Sequence, residues 1–246
     1  MMRALEGRAE ALGGTFKAQE VANTLWSACV FSLLFDRGHG WRWLDAVVQR
    51  LASLGDASCF IAVQLHQIHQ FLVCCRLEPR IRMEAIKDMW SLKEACREAF
   101  VCSKSAPSAM QQQVSETLRR IGLSVEDEVR CPKSGYSIDM IAVLSPGREM
   151  GGESSSSTWA VEVDGPSHFL TSRAPTGATL LKRRCLELLG HALVTVPYWD
   201  WDGCKGPGER EQYLRGKLAV YKDRVQRPGN ALLQRAGKVS ADDDEL

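Results

Sequence analysis

The sequence predicts a chain of two characters, helical hairpins up to about residue 104 and a small α/β domain from about residue 110. Three observations carry that reading. Apolar residues recur at intervals of three and four through the first stretch, the spacing that gives a helix one apolar face. After the loop SKSAPSA (103–109) the interval falls to two in YSIDMIAVL and TWAVEVDG, as expected where successive side chains of a strand point to opposite faces. The composition, 45% hydrophobic and 25% charged over 246 residues, supplies core material for one or two globular domains.

In the first stretch Val21, Leu25, Ala28 and Cys29 form one apolar stripe, and Leu44, Val47, Val48 and Leu51 form the next. Breaks fall at Gly13-Gly14, at RGHG (37–40), at Gly55 and at Pro79. One pair of such short helices leaves an apolar face uncovered, which predicts stacked hairpins of the α-solenoid kind. His66 and His69 in QLHQIHQFL stand one helical turn apart without a third ligand nearby, so they read as polar positions on a packing face. Trp26, Trp41, Trp43 and Trp90 are expected in the core rather than stacked on bases.

In the second stretch MQQQVSETLRRIG (110–122) is an amphipathic helix closed by Gly122. Strands YSIDMIAVL (136–144) and TWAVEVDG (158–165) follow, linked by SPGREMGGESSSS. TLLKRRCLELLG (179–190) is a helix stopped at Gly190, and LVTVPYWDW (193–201) reads as a third strand. EREQYLRGKLAVYKDRV (209–225) is a last amphipathic helix whose apolar side holds Tyr213, Leu214, Leu218 and Tyr221. Helix, strand, strand, helix, strand, helix is an α/β plan. The DDDE of residues 242–245 belongs to a solvated tail.

Several classes are excluded. No apolar run reaches the ~18 residues of a membrane-spanning helix, so no membrane partner is expected. MMRALEGRAEALGG alternates basic and acidic residues and shows no targeting peptide in this chain. A net charge of +1 argues against a globally basic nucleic-acid coat and leaves only local patches. None of the nine cysteines forms a Cys-x-x-Cys pair, so buried thiols in a reducing compartment are expected, without zinc or disulfides.

The segment AVEVDGPSHFL (160–170) carries the chemistry. Glu162 and Asp164 share one strand face, and hairpin pairing brings Asp139 of the preceding strand beside Glu162. Three carboxylates repel one another unless cations offset them, and magnesium held by such a cluster can activate water against a phosphodiester. The alternative is a turn at Gly165-Pro166 in which His168 pairs with Asp164 or Glu162 and no metal is needed. Lys182, Arg183, Arg184, Lys205, Arg210, Arg215, Lys217, Lys222, Arg224 and Arg227 give this half a local excess of cations suited to a phosphate backbone. Tyr198, Trp199 and Trp201 in PYWDW offer rings on which unpaired bases could stack.

The run from GYSIDMIAV through AVEVDGPSHFL and TLLKRRCLELLGHALVTVPYWDW resembles the RAP domain, named as an RNA-binding domain abundant in apicomplexans. FKAQEVANTLWSACVFS (16–32) is similar to the helical repeats of octotricopeptide-repeat and FAST-kinase-like proteins. The resemblance implies an N-terminal helical-repeat region (1–104), a RAP domain of PD-(D/E)xK, or restriction-endonuclease-like, fold (110–227) and a tail (228–246). In that superfamily an Asp on one strand precedes Glu-x-Lys on the next. Asp139 and Glu162 match the pattern, but Asp164 stands in the lysine position, and Lys182 on the following helix is the nearest substitute.

Asp139, Glu162, Asp164 and Lys182 are therefore expected to be a vestigial catalytic set without a resident metal or other cofactor. His168, Lys182, Arg183, Arg184, Tyr198, Trp199 and Trp201 are expected to bind RNA. The implied function is non-catalytic RNA binding in a mitochondrion, or alternatively a plastid. The partners would be rRNA or organellar transcripts together with ribosomal or other ribonucleoprotein proteins. The alternative is a magnesium-dependent endoribonuclease of the PD-(D/E)xK type.

Overall fold

Helix α1 (Ala18–Val30) begins where the Lys17 N–H donates to Glu20 Oε2 at 2.7 Å, and it buries Val21, Ala22, Leu25, Ala28 and Cys29. The computed structural model describes residues 7–8, 11–31, 42–77, 84–102, 106–144 and 157–226. Helix α2 (Arg42–Leu54) buries Leu44, Val47, Val48 and Leu51 and stops at Gly55, whose φ of +70° suits glycine at a helix end. Helices α3 (Ala62–Leu77) and α4 (Trp90–Cys102) complete the first unit, Met1–Lys104. The breaks expected at RGHG and Pro79, and Trp41, lie outside the described residues.

Helix α1 packs on α2 and α3, and α3 packs on α4. Gln67 Nε2 donates to Asn23 Oδ1 at 3.0 Å and Trp26 Nε1 donates to Gln70 Oε1 at 2.6 Å, each bond joining residues 44 apart. A constant offset means that α1 and α3 run parallel, as next-but-one helices do in stacked hairpins. His66 Nε2 lies 2.8 Å from Ala99 O, while the buried His69 ring stacks on Phe100 at 4.6 Å, so both occupy a packing face. Trp43 is buried and Trp26 partly so. Trp90, expected in the core, is 48% exposed with Lys93 Nζ 4.8 Å over its ring.

The second unit, Ser105–Leu246, starts at α5 (Ala109–Arg120). There Ser108 Oγ accepts from the Gln111 N–H at 3.1 Å, and Gln111 Oε1 accepts from the Ser108 N–H at 2.5 Å. Four strands follow: β1 (Ser124–Arg130), β2 (Ser137–Leu144), β3 (Ser157–Asp164) and β4 (Leu193–Pro197). They lie in the order β1-β2-β3-β4, the first two pairings antiparallel and β3–β4 parallel. Helix α6 (Gly177–Leu188) connects the parallel pair, and α7 (Tyr198–Gly203) and α8 (Pro207–Gln226) follow β4.

The structure adds one strand that the sequence leaves unassigned and corrects the bounds of another. SVEDEVR is a strand despite its three acids, because β1 lies at the sheet edge, where charged side chains are tolerated. The strand expected over 193–201 ends at Pro197, which has no N–H to donate, and YWDW turns into the short helix α7 with Asp200 in its first turn.

Met140, Ala142, Trp159, Val161, Val163, Val194 and Val196 form one sheet face and pack with Val114 and Leu118 of α5, Leu214 and Leu218 of α8, and Trp201. The opposite face of β3 is buried as well. Ala160, Glu162 and Asp164 lie on that side, within reach of α6, whose Leu181, Cys185 and Leu186 are buried. A parallel neighbour with a crossover helix covers both faces of a strand, so alternation predicts the faces but not their burial.

Six of the nine free cysteines are buried (Cys29, Cys74, Cys75, Cys96, Cys131 and Cys185), whereas Cys59 and Cys102 are exposed. Among the described residues no helix is long and apolar enough to cross a membrane.

Candidate nucleic-acid interface

The register Met140↔Val161 brings Asp139 to the position beside Glu162, and Asp139 Oδ2 accepts the Val163 N–H at 2.7 Å. Two residues further, Asp164 sits opposite Pro197 at the carboxyl end of the parallel pair. The chain then turns through Gly165-Pro166 into a single 3₁₀ turn, Pro166–His168. That turn is clasped to the start of α6. His168 O accepts the Thr176 N–H at 2.9 Å and the Thr179 hydroxyl at 3.1 Å, while Thr176 caps α6 through its own hydroxyl.

The clasp aims cations at the acids. Lys182 Nζ bonds Glu162 Oε2, Arg183 Nη2 bonds Asp164 Oδ2 at 2.6 Å, and His168 Nδ1 lies 2.9 Å from Asp164 Oδ1. Glu162 and Asp164 are 3% and 1% exposed, so each charge is balanced inside the domain. Burial, with Asp139 and Asp164 adding to it, pushes the Glu162 carboxyl up to about 7 against the opposing Lys182. Burial also raises Asp139, opposed by Lys182, the Val163 N–H and the Gln111 side chain. The hydrogen bond with Asp164 raises His168.

Glu162 Oε1 and Arg183 Nε are buried without hydrogen-bond partners among the described residues. Among those residues no three His, Cys, Asp or Glu side chains are disposed to hold a metal ion. The structure thus brings Asp139, Glu162, Asp164, His168, Lys182 and Arg183 together. Arg184 is half-buried on the same helix.

Sequence reasoning misses Gln111, whose Nε2 reaches Glu128 Oε1 at 3.5 Å and whose side chain opposes the rise of the Asp139 carboxyl. Glu128 has a left-handed φ of 53°, and nothing in SVEDEVR signals it.

The expected aromatic residues divide. Trp201 is fully buried, its indole N–H donating to Gln113 Oε1 at 3.1 Å, so it cannot stack on a base from that position. Tyr198 and Trp199 are half-buried just past the end of β4. Phe169 joins them from the loop after β3, its ring centroid 4.3 Å from Trp199 and 6.3 Å from Tyr198. Arg173 Cζ stands 5.2 Å over the Trp199 ring.

Of the expected phosphate ligands on α8 and before it, Lys205 and Arg215 are exposed. Arg210 is tied to Gln113 at 3.0 Å and Lys217 to Asp200 at 3.5 Å. The side chains of Tyr221, Lys222 and Arg224, together with Arg227 and the acidic tail, lie outside the described residues.

Together these features define a small α/β domain with a neutralised acid cluster and an aromatic rim at the carboxyl ends of its parallel strands. Residues 161–217 match the RAP domain family model, and the chain carries a RAP domain there. A RAP domain-containing chloroplastic protein of Oryza sativa subsp. japonica is 30% identical over 109 residues, covering 44% of this chain and 15% of that protein. The mitochondrial FAST kinase domain-containing protein 3 of Bos taurus is 40% identical over 60 residues, covering 24% of this chain and 9% of that protein. The matches therefore span less than a sixth of the length of these relatives.

Proposed function

We propose that the chain is a non-catalytic RNA-binding protein of an organelle, acting on rRNA or organellar transcripts beside ribosomal or other ribonucleoprotein proteins. The RAP domain carries the RNA-binding part of this reading. A mitochondrial or plastid setting is supported by the mitochondrial and chloroplastic names of its relatives. The parallel α1 and α3 with their constant 44-residue offset support helical repeats. Helix, three strands, helix and strand in that order support a PD-(D/E)xK-like plan with domain limits near 110 and 227.

The observation that carries non-catalytic binding is the state of the acids. Asp164 occupies the lysine position of Glu-x-Lys, and Lys182 and Arg183 neutralise Glu162 and Asp164 instead of facing a substrate. One feature favours a magnesium-dependent endoribonuclease as second reading: Glu162 is held at about 7, where a general base is effective.

Titration of the purified full chain against single-stranded RNA, with magnesium present and the RNA inspected for cleavage, tests both. Binding with intact RNA is expected. Absence of binding at low salt overturns the proposal, and cleavage that Asp139→Asn abolishes in a folded protein establishes the nuclease. RNA cross-linked in cells then separates the settings, with rRNA dominating for a ribosomal component and scattered transcripts for a free factor.

A further inference from the structure

We propose that Phe169, Arg173, Tyr198 and Trp199 form a stacking subsite for one unpaired nucleobase of single-stranded RNA. The inference deepens the proposed function and rests on it. The four side chains come from two separate segments that meet beyond Asp164 and Pro197, at the carboxyl ends of the parallel strands. In open α/β sheets the crevice outside those ends is where ligands lodge.

The loop that supplies Phe169 and Arg173 is fixed in shape. The Leu170 N–H donates to Ala174 O at 2.8 Å, the Arg173 N–H donates to Leu170 O at 2.9 Å, and Phe169 forms a bridge with Pro175. Arg173 takes a left-handed φ of 62°, a conformation costly for a residue with a Cβ, and so its guanidinium is brought over Trp199 by a defined turn.

The ring arrangement differs from core packing. Trp201, two residues from Trp199, is fully buried with its N–H satisfied. Trp199 and Tyr198 meet edge to face at 76°, and Phe169 is tilted 58° to Trp199, so no ring in the group stacks face to face on another. The Arg173 guanidinium, a flat cationic group, stands over the Trp199 ring. A nucleobase is planar, and every base presents a π-face. By displacing the exposed Arg173 side chain outward, it stacks on the indole and takes the cation onto its other side. His168 precedes Phe169 and bonds Asp164 through Nδ1, which leaves Nε2 on its 40% exposed side chain to meet a phosphate. A base inside a duplex is stacked on both faces by its neighbours, which selects unstacked single strands.

The test is anisotropy titration of the full chain with a single-stranded RNA, with the blunt duplex of the same sequence, and with a set of single strands each lacking one base. Trp199→Ala is expected to weaken single-strand binding by about 5- to 150-fold, the worth of one stacked base. The salt slope and duplex binding should stay unchanged, and Trp199→Phe should retain most of the affinity. Arg173→Ala, which removes an exposed side chain and leaves the core intact, should weaken the same interaction. In the wild-type chain one abasic position should reproduce the loss, and in Trp199→Ala that position should no longer matter.

If RNA binds but neither substitution nor any abasic position changes the affinity, the subsite is wrong and RNA binding stands. If the wild-type chain binds no RNA, both readings fall. Should Trp199→Ala unfold, Arg173→Ala and the abasic set still decide the matter.

Discussion

Replacing Lys182 by Met keeps the apolar stem but removes the cation that bonds Glu162. Glu162 is 3% exposed, and its other oxygen, Oε1, already has no partner among the described residues. Removing one member of a buried ion pair costs about 3–5 kcal/mol. The cost depends on pH because Glu162, already raised to about 7, rises further without the cation. At pH 8 the loss should be about 3 kcal/mol, the lower end of that range, because the acid can escape the full penalty by taking a proton. At pH 5.5 the carboxyl is neutral and only a hydrogen bond is missing, about 1 kcal/mol.

Hydrogen exchange of peptides covering β3, with each variant compared with its parent at the same pH, reads this unit within the full chain. Exchange should accelerate about 150-fold at pH 8 and about fivefold at pH 5.5. Adding Glu162→Gln should remove most of the pH 8 loss. An equal loss at both pH values, with no rescue by Gln, would show that Lys182 contributes packing and that the ionic account is wrong.

The other predictions concern the same unit. In the wild-type chain Glu162, ordinarily at 4.5, is raised to about 7, so the folded state holds a proton that the unfolded state releases. Its stabilisation is full below 4.5 and is lost as pH rises through about 7, about 3 kcal/mol in all. Asp139 and His168, also raised, act in the same direction, and denaturation midpoints that rise between pH 5 and 8 would contradict this. Trp201→Ala should cost about 3–5 kcal/mol, seen as faster exchange in β3, because it empties a fully buried site. Burial pushes the Cys131 thiol up, but hydrogen bonds from His191 and Ser134 outweigh it and hold the thiol at about 7. Peptide-resolved alkylation should therefore show a midpoint near pH 7 that climbs toward 9.0 in His191→Ala, and an unmoved midpoint would refute the pairing. Arg183→Ala with Arg184→Ala should reduce the salt slope of RNA binding and, because Arg183 holds Asp164 at 2.6 Å, also lower stability. An unchanged slope in a folded protein would remove α6 from the interface.

The helical half and the sheet strands β2 and β3 are legible in the sequence because periodicity reports which faces are apolar. Asp139 beside Glu162 is legible too, since strand pairing follows from a hairpin. Burial is not. Val161 and Glu162 are both inside because the parallel partner and α6 cover β3 on both sides, a tertiary fact that alternation cannot encode. Strand β1 escapes notice because charges are permitted at an edge, and α7 because Pro197 ends a pattern that PYWDW otherwise continues. Phe169 and Arg173 reach the rim only through the turn after Gly165, and the role of Gln111 requires the end of α5 to meet β2. Trp201 reads like its neighbours Tyr198 and Trp199, and only the helical geometry of α7 sends it inward.

The pairing of acids with cations inside the domain sets how a polyanion would meet it. Lys182 and Arg183 are matched by Glu162 and Asp164, and the whole chain carries a formal charge of only +1, so little long-range field draws an RNA toward the strand ends. On the proposed RNA-binding reading, encounter would then proceed at the ordinary rate of unsteered docking. Affinity would reside in how slowly the complex comes apart, a residence time to which short-range stacking contributes beside the phosphate contacts.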